Sequence, residues 1–276
     1  MRRVAAVQMA SGPNVSANLN EAGRLISRAV DAGAELVVLP ENFALMGMSE
    51  QDKVAARESE GSGPIQDFLA EQADKHRVWI VGGTVPLATA DPGRVRAACL
   101  VFDERGRRRA RYDKMHLFDV QIEESGEQYD ESATIEPGTR PVVVDTPFGR
   151  LGLAVCYDLR FPELFREMAA GGAELFALPA AFTALTGAAH WEVLVRARAV
   201  ENLAYVVAAA QGGYHVNGRE THGDSMVVDP WGRVLDRLPR GSGFVIGEVD
   251  LENVRRTRSN FPVLEHRRIG CGQEVT

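Results

Sequence analysis

The chain has 276 residues, 45% of them hydrophobic, enough to bury a large core in one big α/β domain or two small ones. Its formal net charge of -7 argues against a nucleic acid or an anionic membrane as partner, since both repel a net-negative surface. No apolar run approaches the roughly 20 residues of a membrane span, and the widely spaced Cys99, Cys156 and Cys271 form neither a disulfide framework nor a CxxC motif. A reducing, cytoplasmic setting is the expectation.

Met1-Arg2-Arg3 imitates the start of a signal peptide, but the apolar run after it stops at Gln8, so Val4 to Met9 reads as a first strand. A helix follows over 16–32, with Leu19, Ala22, Ile26, Ala29 and Val30 on one face and Gly33 closing it. Leu36 to Leu39 is a second strand. Gly63-Pro64 opens another helix carrying Ile65, Phe68, Leu69 and Ala73, and Val78 to Val81 is a strand before Gly82-Gly83. A β-rich middle comes next: 97–102, 107–112, 142–145 and 150–155, with Thr146-Pro147-Phe148-Gly149 as a hairpin turn. The arginines around Glu104-Arg105-Gly106 read as a solvated basic hairpin rather than a phosphate site.

Beyond Cys156 the pattern gives a short helix through Leu164, Phe165 and Met168, a strand over 174–178 and a helix from about 188 to 203. Strands over 205–210, 223–228, 233–235 and 243–249 follow, and a last helix near 251–258. So many strands with four or five helices overfill one open sheet and predict an α/β fold of two mixed sheets packed face to face, helices outside. No linker or repeat divides the chain, so 1–276 is expected to be a single domain. The tail from about 259, with Phe261, Val263 and Leu264, is apolar enough to cross onto a neighbouring subunit.

Cys156 ends the apolar run Leu151 to Val155 and precedes Tyr157-Asp158-Leu159-Arg160-Phe161-Pro162-Glu163. A thiol held between a buried strand and a Pro-initiated helix sits where a nucleophile belongs, although a lone cysteine is more often a small core hydrophobe. Glu41 follows Leu36-Val37-Val38-Leu39-Pro40, and Lys114 follows Arg109 to Asp113. Alone, the first reads as a loop acid and the second as a surface lysine. Together the three lie just past strands, whose ends gather on one edge of a mixed sheet.

Pro40-Glu41-Asn42, Tyr112-Asp113-Lys114-Met115-His116-Leu117-Phe118, Cys156 to Glu163, and His190-Trp191 leading to Arg196-Ala197-Arg198-Ala199 stand in the order found in the carbon-nitrogen hydrolase (nitrilase) superfamily, which the chain resembles from end to end. Ser225 to Gly232 and Phe261-Pro262-Val263 are similar to its Nit branch. The resemblance implies an αββα sandwich and a homodimer or larger homo-oligomer. It also implies hydrolysis of a small carboxylate-bearing amide through a Cys156 thioester, with deaminated glutathione as the closer match and α-ketoglutaramate as the alternative.

By that resemblance Glu41 is the base, Lys114 donates to the oxyanion with the Tyr157 backbone N–H, and Glu131 orients Lys114, although Glu123, Glu124 and Glu127 lie close enough in sequence to shift that alignment. Phe182 and Thr183 would line the pocket, or serve as packing and a turn hydroxyl. Arg160 is either an anion clamp for a substrate carboxylate or an ion-pair partner of Asp158 or Glu163. Cys99 reads as core and Cys271 as incidental.

A papain-like site would pair Cys156 with His116, His190, His215 or His222, against which the Glu-Lys-Cys order weighs. The six histidines show no HExxH-type spacing, so no metal or other cofactor is expected. A catalytically dead binding scaffold would have lost Glu41, Lys114 or Cys156, and all three are present.

Overall fold

The structure, a computed structural model, describes residues 1–123 and 126–268. In chain order it runs β1 (Arg2–Gln8), α1 (Val15–Asp31), β2 (Leu36–Val38), α2 (Gln51–Ala55), α3 (Pro64–His76), β3 (Trp79–Val81), β4 (Val85–Ala88), β5 (Val95–Phe102) and β6 (Arg108–Asp113). The hairpin β7 (Asp119–Ile122) and β8 (Glu127–Asp130) leads to β9 (Val143–Thr146), β10 (Gly149–Leu153), α4 (Pro162–Ala170), β11 (Leu175–Ala180), α5 (Ala184–Asn202) and β12 (Tyr205–Ala210). A second small hairpin, β13 (Gly212–Tyr214) and β14 (Glu220–His222), precedes β15 (Ser225–Val228), β16 (Val234–Leu238), β17 (Gly243–Val249) and α6 (Leu251–Asn260).

One sheet has the order β17-β1-β2-β3-β5-β4 with β6 on β5, and the other β16-β15-β12-β11-β10-β9. Both are mixed. β1, β2 and β3 are mutually parallel, as are β10, β11 and β12, while β17, β5, β9 and β15 join antiparallel.

Side-chain alternation sorts the layers. On β1, Val4 and Ala6 face a core shared with Leu151, Leu153, Leu175 and Ala177 of the other sheet. Ala5 and Val7 face a separate core with Leu25, Ile26 and Ala29 of α1 and Ile65, Leu69 and Ala73 of α3. Because strand side chains alternate with period two, that division requires one sheet between helices and the second sheet. Phe165 and Met168 of α4 and Trp191 and Val195 of α5 cover the far side of the second sheet. The layers are therefore helix, sheet, sheet, helix, the expected sandwich.

Sequence periodicity missed β4, α2 and the two small hairpins, which are short and half-exposed. It also began α5 four residues late. Thr183 caps that helix, accepting from the Thr186 backbone N–H at 3.3 Å, so the helix passes through Gly187 rather than starting after it. Gly187 is there for space: a Cβ would lie 2.2 Å from the His222 Cβ on β14. The arginine-rich turn is an ion-paired hairpin, with Arg107 on Asp103 and both Arg108 and Arg111 on Glu60.

Candidate active site

Glu41, Lys114 and Cys156 follow the C-terminal ends of β2, β6 and β10, and side by side these ends form one edge of the sandwich. The Glu41 backbone is fixed from both sides. Gln211 Nε2 donates to its carbonyl at 3.0 Å, and the next amide, Asn42 N–H, donates to Thr84 Oγ1 at 2.9 Å. Gly83 allows this close approach, since a Cβ there would stand 2.2 Å from the Pro40 carbonyl oxygen. Lys114 is tied by its N–H to the Ala97 carbonyl at 3.1 Å and by its own carbonyl to Gly138 N–H at 2.8 Å.

Cys156 opens a 3₁₀ turn (Cys156–Arg160) that Pro162 converts into α4. Its φ of 50° lies in the left-handed region, which a non-glycine residue adopts only when its surroundings enforce it. Asp158 supplies the enforcement. Wholly buried, its carboxylate accepts from the Val155 N–H and the Tyr112 hydroxyl, both at 2.7 Å, and from the His116 N–H at 3.1 Å, with the His116 ring nitrogen at 2.7 Å. Arg198 grips the Leu159 carbonyl through two nitrogens at 3.0 and 2.7 Å. The sulfur is thus aimed by the turn, and Ala181 N–H, past the end of β11, donates to it at 3.4 Å.

Lys114 Nζ stands 2.8 Å from Glu41 Oε1 and 2.8 Å from both oxygens of Glu131, whose Oε2 also accepts from Phe118 N–H at 2.7 Å. The lysine is 2% exposed and Glu41 4%, which removes the loop-acid and surface-lysine alternatives. Of the competing acids, Glu127 instead accepts from the Tyr129 hydroxyl at 3.0 Å, and Glu124 lies outside the described residues.

Burial by itself would lower the Lys114 pKa, but Glu131 and then Glu41 outweigh it and hold the ammonium well above its usual value. Burial would likewise raise Glu131, and Lys114 overcomes it, so that carboxyl titrates below its ordinary range. The Cys156 thiol moves the other way. Burial first, and Glu41 second, push it well above the ordinary thiol value against the pull of Lys114. The Lys114 ammonium and the Glu131 carboxylate are thus each favoured in their charged forms, the Cys156 thiol is favoured in its neutral form, and Glu41 is placed to bond that thiol.

These groups open into a cavity of about 460 Å³, whose walls include Glu41, Lys114, Glu131, Cys156, Tyr157, Arg160, Phe182 and Thr183. The eight residues expected from the resemblance to serve catalysis or line the pocket are all on that wall. Arg160 makes neither of its expected ion pairs: Asp158 is spent on the turn, and the guanidinium meets His190 Nδ1 at 3.2 Å and the Phe182 ring at 5.2 Å. Thr183 both caps α5 and lines the cavity. Among the described residues no histidine reaches the cavity wall. His116 stacks on Phe161, and His215 bonds Ser11 and Thr221.

Sequence reading missed Phe118, Tyr129, Thr186, Asn217 and Arg219 on the same wall, and also the Asp158 clamp. Four of these wall residues lie on or beside the two short hairpins or the segment leading into one; only the i+3 spacing of Thr183 and Thr186, an N-cap pattern, was open to detection.

Residues 3–259 match the carbon-nitrogen hydrolase family, and the chain belongs to it. It is 41% identical over 266 residues to the deaminated glutathione amidase of Yersinia enterocolitica, covering 96% of this chain and 92% of that one. With the deaminated glutathione amidase of Synechocystis sp. it shares 43% identity, covering 95% and 97%. The structure of Saccharomyces cerevisiae Nit3, a member of branch 10 of the nitrilase superfamily, superposes with a TM-score of 0.87 at 32% identity, covering 97% of each chain. Amide C–N hydrolysis is the chemistry of the superfamily, and this chain is an amidase-type hydrolase.

Proposed function

We propose that the chain hydrolyses deaminated glutathione, with Cys156 as nucleophile, Glu41 as proton carrier, Lys114 as oxyanion donor and Glu131 as the residue that positions Lys114. The observation that carries this reading is the meeting of buried Glu41, Lys114 and Cys156 on one cavity wall, with Lys114 Nζ 2.8 Å from each carboxylate. The shared name of the two bacterial relatives supports the substrate.

An amide resists attack because resonance stabilises its carbonyl and an amine leaves poorly, and a thioester divides that barrier in two. Since the resting thiol is neutral, its proton passes to Glu41 as Sγ bonds the carbonyl carbon. Negative charge then develops on the carbonyl oxygen, where Lys114 and the Tyr157 N–H meet it. Glu41 returns the proton to the nitrogen as the C–N bond breaks, and the Cys-Gly amine departs. Water attacks the thioester, its proton passing through Glu41 to the departing sulfur, and α-ketoglutarate is released with the thiol restored. Both oxygens of Glu131 hold the ammonium throughout.

Incubation with deaminated glutathione and with α-ketoglutaramate, read by keto-acid formation and by mass spectrometry of Cys156, tests the proposal. A higher kcat/KM on deaminated glutathione and an acyl adduct on Cys156 are expected. A preference for α-ketoglutaramate would move the assignment to ω-amidase, and cleavage of aliphatic amides alone would refute the substrate class.

The protein is further proposed to assemble as a homodimer or larger oligomer. Val193 and Val200 on α5, Trp231, and Phe261 at the end of α6 are large apolar side chains left about half or more exposed, and Trp231 and Phe261 pack edge to face. Light scattering should show at least a dimer at micromolar concentration, and a lone monomer would contradict it.

A further inference from the structure

Four cationic side chains line the cavity, and two are already neutralised: Lys114 lies between Glu41 and Glu131, and Lys53 pairs with Glu50 at 2.7 Å. Arg160 and Arg219 form no ion pair among the described residues. They stand at the two ends of one aromatic wall. Arg160 lies 5.8 Å over the Tyr157 ring, Tyr157 is 5.1 Å from Phe118, Phe118 is 5.0 Å from Tyr129, and Arg219 lies 5.0 Å over Tyr129. One Arg219 nitrogen donates to the Ala181 carbonyl at 2.9 Å, while its Nε is buried with no bond. The guanidinium thus lines the cavity with one bond to a neutral carbonyl and no carboxylate among the described residues, and a cation without a counter-charge beside a cavity is suited to a ligand carboxylate.

Deaminated glutathione carries two carboxylates, one on each side of the scissile amide. The acyl half stays bonded to Cys156 after cleavage, whereas the amine half must leave first and so must point outward. Arg160 belongs to the Cys156 turn itself. Arg219 belongs to the exposed loop between β13 and β14, beside the exposed Val216 and Gly218 at the rim. At about 3.3–3.6 Å per extended residue, a Cys-Gly leaving group places its carboxylate about 7 Å beyond the scissile carbonyl.

Resting on the proposed substrate, we propose that Arg219 is a specificity-determining residue that binds the terminal carboxylate of the leaving amine portion. Its contact with Ala181, whose N–H meets Cys156 Sγ, keeps that end in register with the reacting sulfur.

The test compares Arg219→Met and Arg219→Lys with the parent on three substrates: deaminated glutathione, its C-terminal glycinamide, and α-ketoglutaramate. All three yield the same thioester, and kcat/KM reports steps only through C–N cleavage, so damage at Cys156 lowers all three alike. Arg219→Met is expected to lower kcat/KM on deaminated glutathione on the order of 10- to 100-fold, mainly through KM, the value of a charge-assisted hydrogen bond. On the other two the change should stay within about twofold, and Arg219→Lys should recover part of the loss. Equal losses on all three, or no loss on deaminated glutathione, would overturn the assignment. Parent enzyme active on α-ketoglutaramate but inert on deaminated glutathione would defeat the substrate reading, and the inference with it, before any variant is made.

Discussion

Asp158→Ala isolates the clamp beneath the nucleophile. In the folded protein this carboxylate accepts at 2.7 Å from both the Tyr112 hydroxyl and the Val155 N–H, and all three residues are fully buried. Removing it strands the two wholly buried donors at about 1–3 kcal/mol each and also releases the His116 N–H, while the His116 ring, on a side chain 27% exposed, can turn to solvent. The expected loss is about 2–6 kcal/mol. At roughly 2–4 °C per kcal/mol for a chain of this size, a loss of about 4 kcal/mol lowers Tm by about 8–16 °C. The left-handed Cys156 backbone also loses its anchor, and a sulfur displaced by about 1 Å costs on the order of 100-fold in turnover. Adding Tyr112→Phe removes one stranded donor. Although Tyr112→Phe alone should destabilise by about 1.5–3 kcal/mol, in the Asp158→Ala background it should restore about 1–3 kcal/mol. Urea unfolding at pH 7 and steady-state kinetics measure both effects. Asp158→Ala within about 1 kcal/mol of the parent, or additive losses in the double variant, would refute the clamp.

Cys156→Ala should abolish hydrolysis without unfolding the protein, and Glu41→Gln and Lys114→Met should each lower kcat by at least about 10²–10³-fold; near-parent turnover in any of them would exclude the mechanism. The raised Cys156 pKa fixes a pH dependence with a definite sign: the folded thiol stays neutral where the unfolded thiol ionises, so its contribution is whole below about pH 8.5 and declines as pH rises. Cys156→Ala should therefore lose stability less steeply than the parent between about pH 8.5 and 10, and parallel curves from urea titrations would count against it. Gly187→Ala is favoured by helix propensity by about 1 kcal/mol, but the 2.2 Å approach to His222 predicts net destabilisation of about 1–3 kcal/mol instead. A raised Tm would contradict the packing.

The strands that carry Glu41, Lys114 and Cys156 were legible because each ends a local apolar or alternating run, and local patterning is written in neighbouring residues. Leu36 to Val38 and Leu151 to Leu153 are fully buried strands, as their composition demands. Pro162 likewise announces α4, since its fixed φ and missing N–H suit a first helical turn. The two sheets could be counted from those runs, and the order of motifs pointed to the family.

Tertiary structure decided what depends on partners distant in sequence. Asp158 looked like an ion-pair partner for Arg160 until Tyr112, on another sheet, took its carboxylate. Glu131 was placed by resemblance among acidic neighbours that could have shifted the alignment, and its 2.8 Å contacts with Lys114 are a matter of tertiary structure. Arg219 gave no sequence signal, because its significance lies in Tyr129 beneath it and Ala181 beside it, residues 90 and 38 positions away in the chain. Sequence fixes the chemistry each side chain can offer. Whether it is buried, charged or paired is set by the groups that folding brings within about 3 Å, because desolvation and close charges, rather than residue type, determine which carboxylate is paired and which guanidinium is left free.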